Sequence, residues 1–176
     1  QLQVLLADIN PGPTWDEATT FGPIISEKQL KRVDGLVQES IAVGATALCG
    51  GNRLDRTGCF YMPTILTDVS DKSPAVTEEI FGPVLTIQTF SSEEEALQLA
   101  DHATYGLAAG IFTRDLSRAL RVVNKLEAGT VWVNRYGRSR DHILPTGGYK
   151  SSGIGKDLGR EAYHANRRSK SVLIDI

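Results

Sequence analysis

A chain of 176 residues with 41% hydrophobic and 23% charged content is long enough to bury one proper core and too short for two generous domains. A net charge of -2 leaves no broad electrostatic footprint for nucleic acid, and no apolar run reaches the length that spans a bilayer. Two cysteines, Cys49 and Cys59, are too few for a disulfide framework and fit a reducing cytoplasm, which is the expected location.

The chain opens on Gln1 and its single methionine is Met62, so we expect a piece of a longer protein. The first residues, Gln-Leu-Gln-Val-Leu-Leu, read as the tail of an element that begins elsewhere. Residues 8–23 hold Pro11, Pro13 and Pro23 with Gly12 and Gly22, which predicts an extended loop. Ser26, with Gln29 three positions on, predicts a capping box at the start of a helix. Leu30, Val33, Val37 and Ile41 form its apolar face and Gly44 is its natural stop. A strand over 45–49 and a turn at Gly50-Gly51 should follow.

From Pro83 the pattern is regular. A strand is expected over Val84–Phe90, a helix over Ser92–His102 led by three glutamates, and a second strand over Leu107–Thr113. Leu116, Ala119, Leu120 and Val123 mark a further helix, and Thr130–Asn134 a third strand. Strands alternating with helices of this length imply right-handed crossovers. The expected fold class is α/β, a largely parallel open sheet with flanking helices. Chemistry in such sheets sits at the carboxyl ends of the strands, where Asn134 and the loop Arg135–Pro145 fall.

The stretch Thr77-Glu-Glu-Ile-Phe-Gly-Pro-Val-Leu85 crowds Glu78, Glu79 and Phe81 against a turn that Pro83 stiffens. Such a turn suits a carboxylate gripping the vicinal hydroxyls of a ribose beside a ring that packs on a heterocycle; it also suits ordinary solvated surface. Neither cysteine stands beside a group that would activate it, so structural packing is the better reading of both. Gly147–Lys156 is not a phosphate loop: position 150 is Lys150 where that motif needs glycine, and Asp157 follows Lys156. Nor is Gly153-Ile-Gly155 a dinucleotide fingerprint, because Leu158 stands where the third glycine belongs. His102, His142 and His164 share no metal-ligand spacing, and no metal site is expected. Arg135, Arg138 and Arg140 read either as a solvated loop or as a cluster that steers an anionic substrate.

Taken in order, Phe21-Gly-Pro23, Glu78–Pro83, Ala103-Thr-Tyr-Gly-Leu107, Gly129-Thr-Val-Trp-Val-Asn134 and Pro145–Gly159 resemble the NAD(P)-dependent aldehyde dehydrogenase superfamily, in the order and spacing of its C-terminal part. The resemblance implies that residues 1–169 are part of a catalytic domain and 170–176 an oligomerisation strand of a likewise homo-oligomeric enzyme. It implies that Glu79 accepts hydrogen bonds from the nicotinamide ribose and that Phe81 lines the nicotinamide pocket, with NAD or NADP as the parent's cofactor. Arg135, Arg138, Arg140 and Thr146 would border the aldehyde tunnel, Thr146 replacing an aromatic common among relatives. The nucleophilic cysteine, general base and cofactor domain of that superfamily lie upstream of anything matched here. This chain alone should therefore be inactive and bind no cofactor. A self-associating interaction module and a stand-alone nucleotide binder are the other readings.

Overall fold

Ser26 opens the longest helix, α2 (Glu27–Ala42), its Oγ accepting from the N–H of Gln29 at 3.2 Å. Preceding it are a one-turn-and-a-half helix, α1 (Leu2–Ala7), and the predicted loop. The computed structural model describes residues 1–137 and 143–176, which form two compact units, residues 1–89 and 90–176.

In the first unit α2 turns Leu30, Val33 and Val37 inward, at the spacing of one helical face. They pack with Tyr61, Leu66, Val69, Ala75 and Ile80 into one apolar cluster. Burying each such aliphatic side chain contributes about 1.5–3 kcal/mol. Beneath lies a three-stranded sheet, β1 (Thr46–Cys49), β2 (Thr64–Thr67) and β3 (Val84–Thr86), with β1–β2 antiparallel and β2–β3 parallel. The ladder runs one residue past β3, as the N–H of Ile87 donates to Leu66 at 2.9 Å, and falls short of the predicted Phe90. Between β2 and β3 a single helical turn, α3 (Pro74–Thr77), docks on α2. Buried Ser40 joins them, donating to the Leu36 carbonyl at 2.7 Å and accepting from the N–H of Ala75 at 2.9 Å. One orphan donor at the start of α3 is thereby satisfied.

The second unit holds α4 (Glu93–Ala100), β4 (Tyr105–Gly106), β5 (Ala108–Ile111), α5 (Leu116–Lys125), β6 (Thr130–Val133), β7 (Tyr149–Lys150) and α6 (Gly159–Ala165). Strands β5 and β6 are parallel and joined through α5, as the alternation predicts; β4 and β7 form a separate antiparallel pair. Helices α4 and α5 are tied by Glu93, which takes hydrogen bonds from Arg121 at 2.9 and 3.1 Å. Among the described residues of this unit, Ala119 is the one fully buried apolar side chain. Residues 167–176 have no regular structure and the tail residues Val172, Leu173, Ile174 and Ile176 are exposed, without a ladder partner among the described residues. The expected α/β class stands, in parallel pieces and flanking helices. No helix among the described residues is long and apolar enough to cross a membrane.

Candidate functional site

After α3 the chain leaves the core in a short extended run, and Glu78 and Glu79 stay exposed. Ile80 returns to the apolar cluster, and Phe81 turns outward again, 77% exposed. Its φ of 54° lies in the left-handed region, which costs a non-glycine residue about 1–2 kcal/mol. Two side chains of α2 hold the backbone there. Gln29 Nε2 donates to the carbonyls of Ile80 at 3.0 Å and Phe81 at 3.2 Å. Arg32 Nη1 donates to Glu79 at 2.6 Å and Ile80 at 3.1 Å, and its Nη2 lies 3.6 Å from a Glu78 oxygen. Next in the chain, Gly82 passes so close to Val33 that a Cβ there would sit 2.6 Å from Val33 Cγ2. The Pro83 carbonyl then accepts from Thr64 at 2.8 Å, where β2 and β3 begin to pair.

The result is an exposed carboxylate and an exposed ring, two residues apart, on a main chain fixed from both sides. Glu79 can accept from two hydroxyls at once, and the face of Phe81 is open to a planar partner. These features fit a nicotinamide riboside. Sequence reasoning missed Gln29 and Arg32. It assigned Gln29 to a capping box, and the Gln29 side chain instead reaches the far segment.

In the second unit Asn134 closes the carboxyl ends of β5 and β6. Its φ is 56°, its Oδ1 accepts from the N–H of Thr113 at 2.8 Å, and its Nδ2 donates to the Thr113 carbonyl at 2.9 Å. A side-chain amide thus takes the place of one more ladder rung. Arg135 follows, exposed, and Tyr136 packs over Gly110 and edge-on to Trp132 at 4.9 Å. Arg138 and Arg140 lie outside the described residues. Thr146 is half-buried and pairs with Asp157 through two backbone hydrogen bonds of 2.6 Å. The backbone of neighbouring Gly147 abuts Gly129, at the amino end of β6, whereas Arg135 lies past the carboxyl end. These contacts do not bring Arg135 and Thr146 together.

The glycine-rich segment is built into the fold. Gly106, Gly129 and Gly148 each touch a neighbouring strand or turn where a Cβ would collide, and Gly106 N–H donates to Ser152 Oγ at 3.0 Å. Lys150 pins the same region through Asp101 at 2.5 Å, Glu127 at 3.0 Å and the His102 carbonyl at 2.8 Å. The Asp101 and Glu127 carboxylates push its ammonium above the ordinary lysine range. In the first unit, burial and the hydrogen bond to Asp34 push the Tyr61 hydroxyl up. Cys59 Sγ lies 3.9 Å from a Glu27 oxygen, and Cys49 is a half-buried residue of β1. Among the described residues no group of three or more His, Cys, Asp or Glu could hold a metal ion.

Residues 1–172 match the sequence profile of the aldehyde dehydrogenase family, and the chain belongs to that family. It is similar to an aldehyde dehydrogenase from Bacillus cereus solved with NAD+, at 40% identity and a TM-score of 0.92, over 98% of this chain and 35% of that one. It is also similar to betaine aldehyde dehydrogenase from Staphylococcus aureus in complex with NAD+, at 40% identity and a TM-score of 0.86, over 92% of this chain and 33% of that one. The chain thus spans about a third of the length of the solved structures it matches.

Proposed function

We propose that this chain is part of an NAD(P)-dependent aldehyde dehydrogenase that oxidises an aldehyde to a carboxylic acid, and that it supplies the wall on which the nicotinamide riboside rests. The observation that carries this reading is the fixed backbone of 79–81, which presents a carboxylate and a ring together. In the bound state the cofactor supplies a hydride acceptor. Glu79 holds the ribose hydroxyls, Phe81 bounds the ring, and Gln29 and Arg32 keep both in place through main-chain carbonyls. The Bacillus and Staphylococcus relatives are solved in complex with NAD+, which supports this use. Residues 1–169 act as part of the catalytic domain, and by the family's pattern Arg135, Arg138, Arg140 and Thr146 border the aldehyde tunnel, Arg135 and Thr146 from opposite ends of β6. Two unpaired thiols fit a cytoplasmic setting.

A thiolate nucleophile needs a base or cation that lowers its pKa, and among the described residues neither Cys49 nor Cys59 hydrogen-bonds a histidine or lysine. The chain alone is therefore inactive, and, supplying one wall of the cofactor site and spanning about a third of the matched enzymes, it binds no cofactor by itself. The test is to mix it with the part of the Bacillus cereus enzyme that it does not match. NAD(P)H should form from an aldehyde with the mixture and with neither piece alone. Turnover by this chain alone that disappears in Cys49→Ala or Cys59→Ala overturns the proposal. A second reading, a non-catalytic module that associates with itself, is favoured by the exposed apolar tail and by the thin core of residues 90–176.

A further inference from the structure

The loop 10–21 has no helix or strand and is nevertheless tied down along its length. Asn10 N–H donates to Thr20 Oγ1 at 2.7 Å and its Nδ2 to the Ala18 carbonyl at 2.9 Å. Gly12 N–H donates to Phe21 at 2.9 Å, so the two ends of the loop meet. Compact loops of this kind are built structures, and they often carry function. This one holds Trp15 out in solvent, 86% exposed. A large amphipathic ring on a fixed support loses little freedom when a partner covers it.

Trp15 borders a cavity of about 360 Å³ between the loop and residues 56–60, walled by Pro13, Pro23, Ile24 and Phe60 and completed by Arg56. Arg56 is positioned from two sides: its guanidinium stacks 4.6 Å above the Phe60 ring, and Nη1 donates to the Pro11 carbonyl at 3.1 Å. Among the described residues no carboxylate pairs with it, and most of its donors are left for solvent or a ligand. Asp16, next to Trp15 in the chain, has an oxygen turned to the Ala18 N–H at 3.0 Å.

Apolar walls, an exposed indole and an ordered guanidinium without a counter-ion select one kind of ligand. The walls and the indole favour a planar ring system, and the fork of Arg56 favours a carboxylate, which it can meet with two parallel hydrogen bonds. The volume is at the low end for small-molecule pockets, enough for one or two fused rings. We propose that this pocket binds a small aromatic or heteroaromatic carboxylate, its ring against Trp15 and the proline walls and its carboxylate on Arg56. The site shares no residue with Glu79 and Phe81, so this proposal and the cofactor reading fail separately.

The test is a titration of the intact chain with 2-naphthoate and with its neutral analogue 2-naphthamide, followed by the two indole N–H signals in proton–nitrogen NMR. Trp15→Phe assigns which signal is Trp15 and which is Trp132. Naphthoate should shift the Trp15 signal saturably and leave Trp132 unmoved, and naphthamide should bind about ten-fold more weakly. Arg56→Gln should abolish the preference for the acid. Should that variant lose its dispersed spectrum, Trp15→Ala gives the same answer through ligand-observed saturation transfer, as naphthoate should then lose its contact. Equal response to acid and amide, an unsaturable shift, or unchanged naphthoate binding in either folded variant overturns the site. So does Trp15 broadening that follows protein concentration instead of naphthoate, which would assign this face to contacts between copies.

Discussion

Arg32 grips the carbonyl of Glu79 at 2.6 Å and leaves the Glu79 carboxylate in solvent, so one residue is fixed by its main chain and presented by its side chain. The Arg32–Glu78 ion pair alongside is 3.6 Å long between half-exposed groups, and such surface pairs contribute little. The main-chain bonds therefore matter more than the charge pairing. Arg32→Ala should raise hydrogen exchange at residues 80–82 and cost about 1 kcal/mol in urea unfolding. Arg32→Lys should recover part of the protection, having one ammonium in place of a fork. Exchange at 80–82 that stays the same in Arg32→Ala would show that Gln29 and the Gly82–Val33 contact suffice.

Glu79→Gln tests the side chain. An amide still accepts a hydrogen bond and loses the charge that strengthens it, at a cost of about 1–3 kcal/mol. In enzyme reconstituted with the part of the Bacillus cereus enzyme that this chain does not match, the hydride step should slow more than cofactor affinity falls, because the ribose would hold the nicotinamide less firmly. Single-turnover kinetics separate the two. An unchanged hydride step counts against the role assigned to Glu79.

The long elements were legible because their periodicity extends over several turns. The apolar face of α2 and its Ser26 cap appear as read, as do the parallel pairing of β5 with β6 and the helix α5, although of its predicted stripe Ala119 is buried and Leu116 and Leu120 are exposed. Shorter pieces were not. Strand β2, helices α1, α3 and α6 and the β4–β7 pair run two to seven residues, too few to establish a period. Strand β5 was read too long at its far end, where Asn134 caps Thr113 with a side chain in place of a strand. In the candidate site, Glu79 and Phe81 stood out through the Gly82-Pro83 turn. Gln29 and Arg32 did not, since they meet that stretch across about fifty residues of chain and only the packing of α2 brings them there. The left-handed backbone of Phe81 was equally hidden, because nothing local to an aromatic residue asks for it.

Acid should loosen the start of the second unit. The hydrogen bond from Arg121 holds the Glu93 carboxyl below its usual range, the Ser91 hydroxyl and N–H do the same for Glu95, and the Arg118 N–H for Asp115. A carboxyl whose folded pKa is depressed stabilises the fold above its unfolded pKa, and that stabilisation disappears as pH falls through the folded value. Urea midpoints for α4 and α5 should therefore be flat from neutral pH to about 5 and decline below about 4. Glu95→Gln and Asp115→Asn should each make the decline shallower. A midpoint that rises on acidification would contradict the sign.

Association is the last expectation, and two features of the chain converge on it. Val172, Ile174 and Ile176 alternate with Ser171, Leu173 and Asp175, one mostly apolar face, in a tail that has no ladder partner among the described residues, so its backbone donors and acceptors are open to another chain. Phe90, Phe112, Leu116 and Leu120 are more than half exposed in a unit with one fully buried apolar side chain among its described residues. Apolar surface of that extent is covered in stable proteins. The chain should self-associate, most simply as a two-fold dimer through the tail. A version ending at Ser169 should lose the defined dimer and retain only weaker, concentration-dependent association through the apolar faces. Light scattering on both versions decides. Two monodisperse monomers, with the tail of the intact chain protected from exchange, would show that the tail folds back on its own chain and that no partner copy is needed.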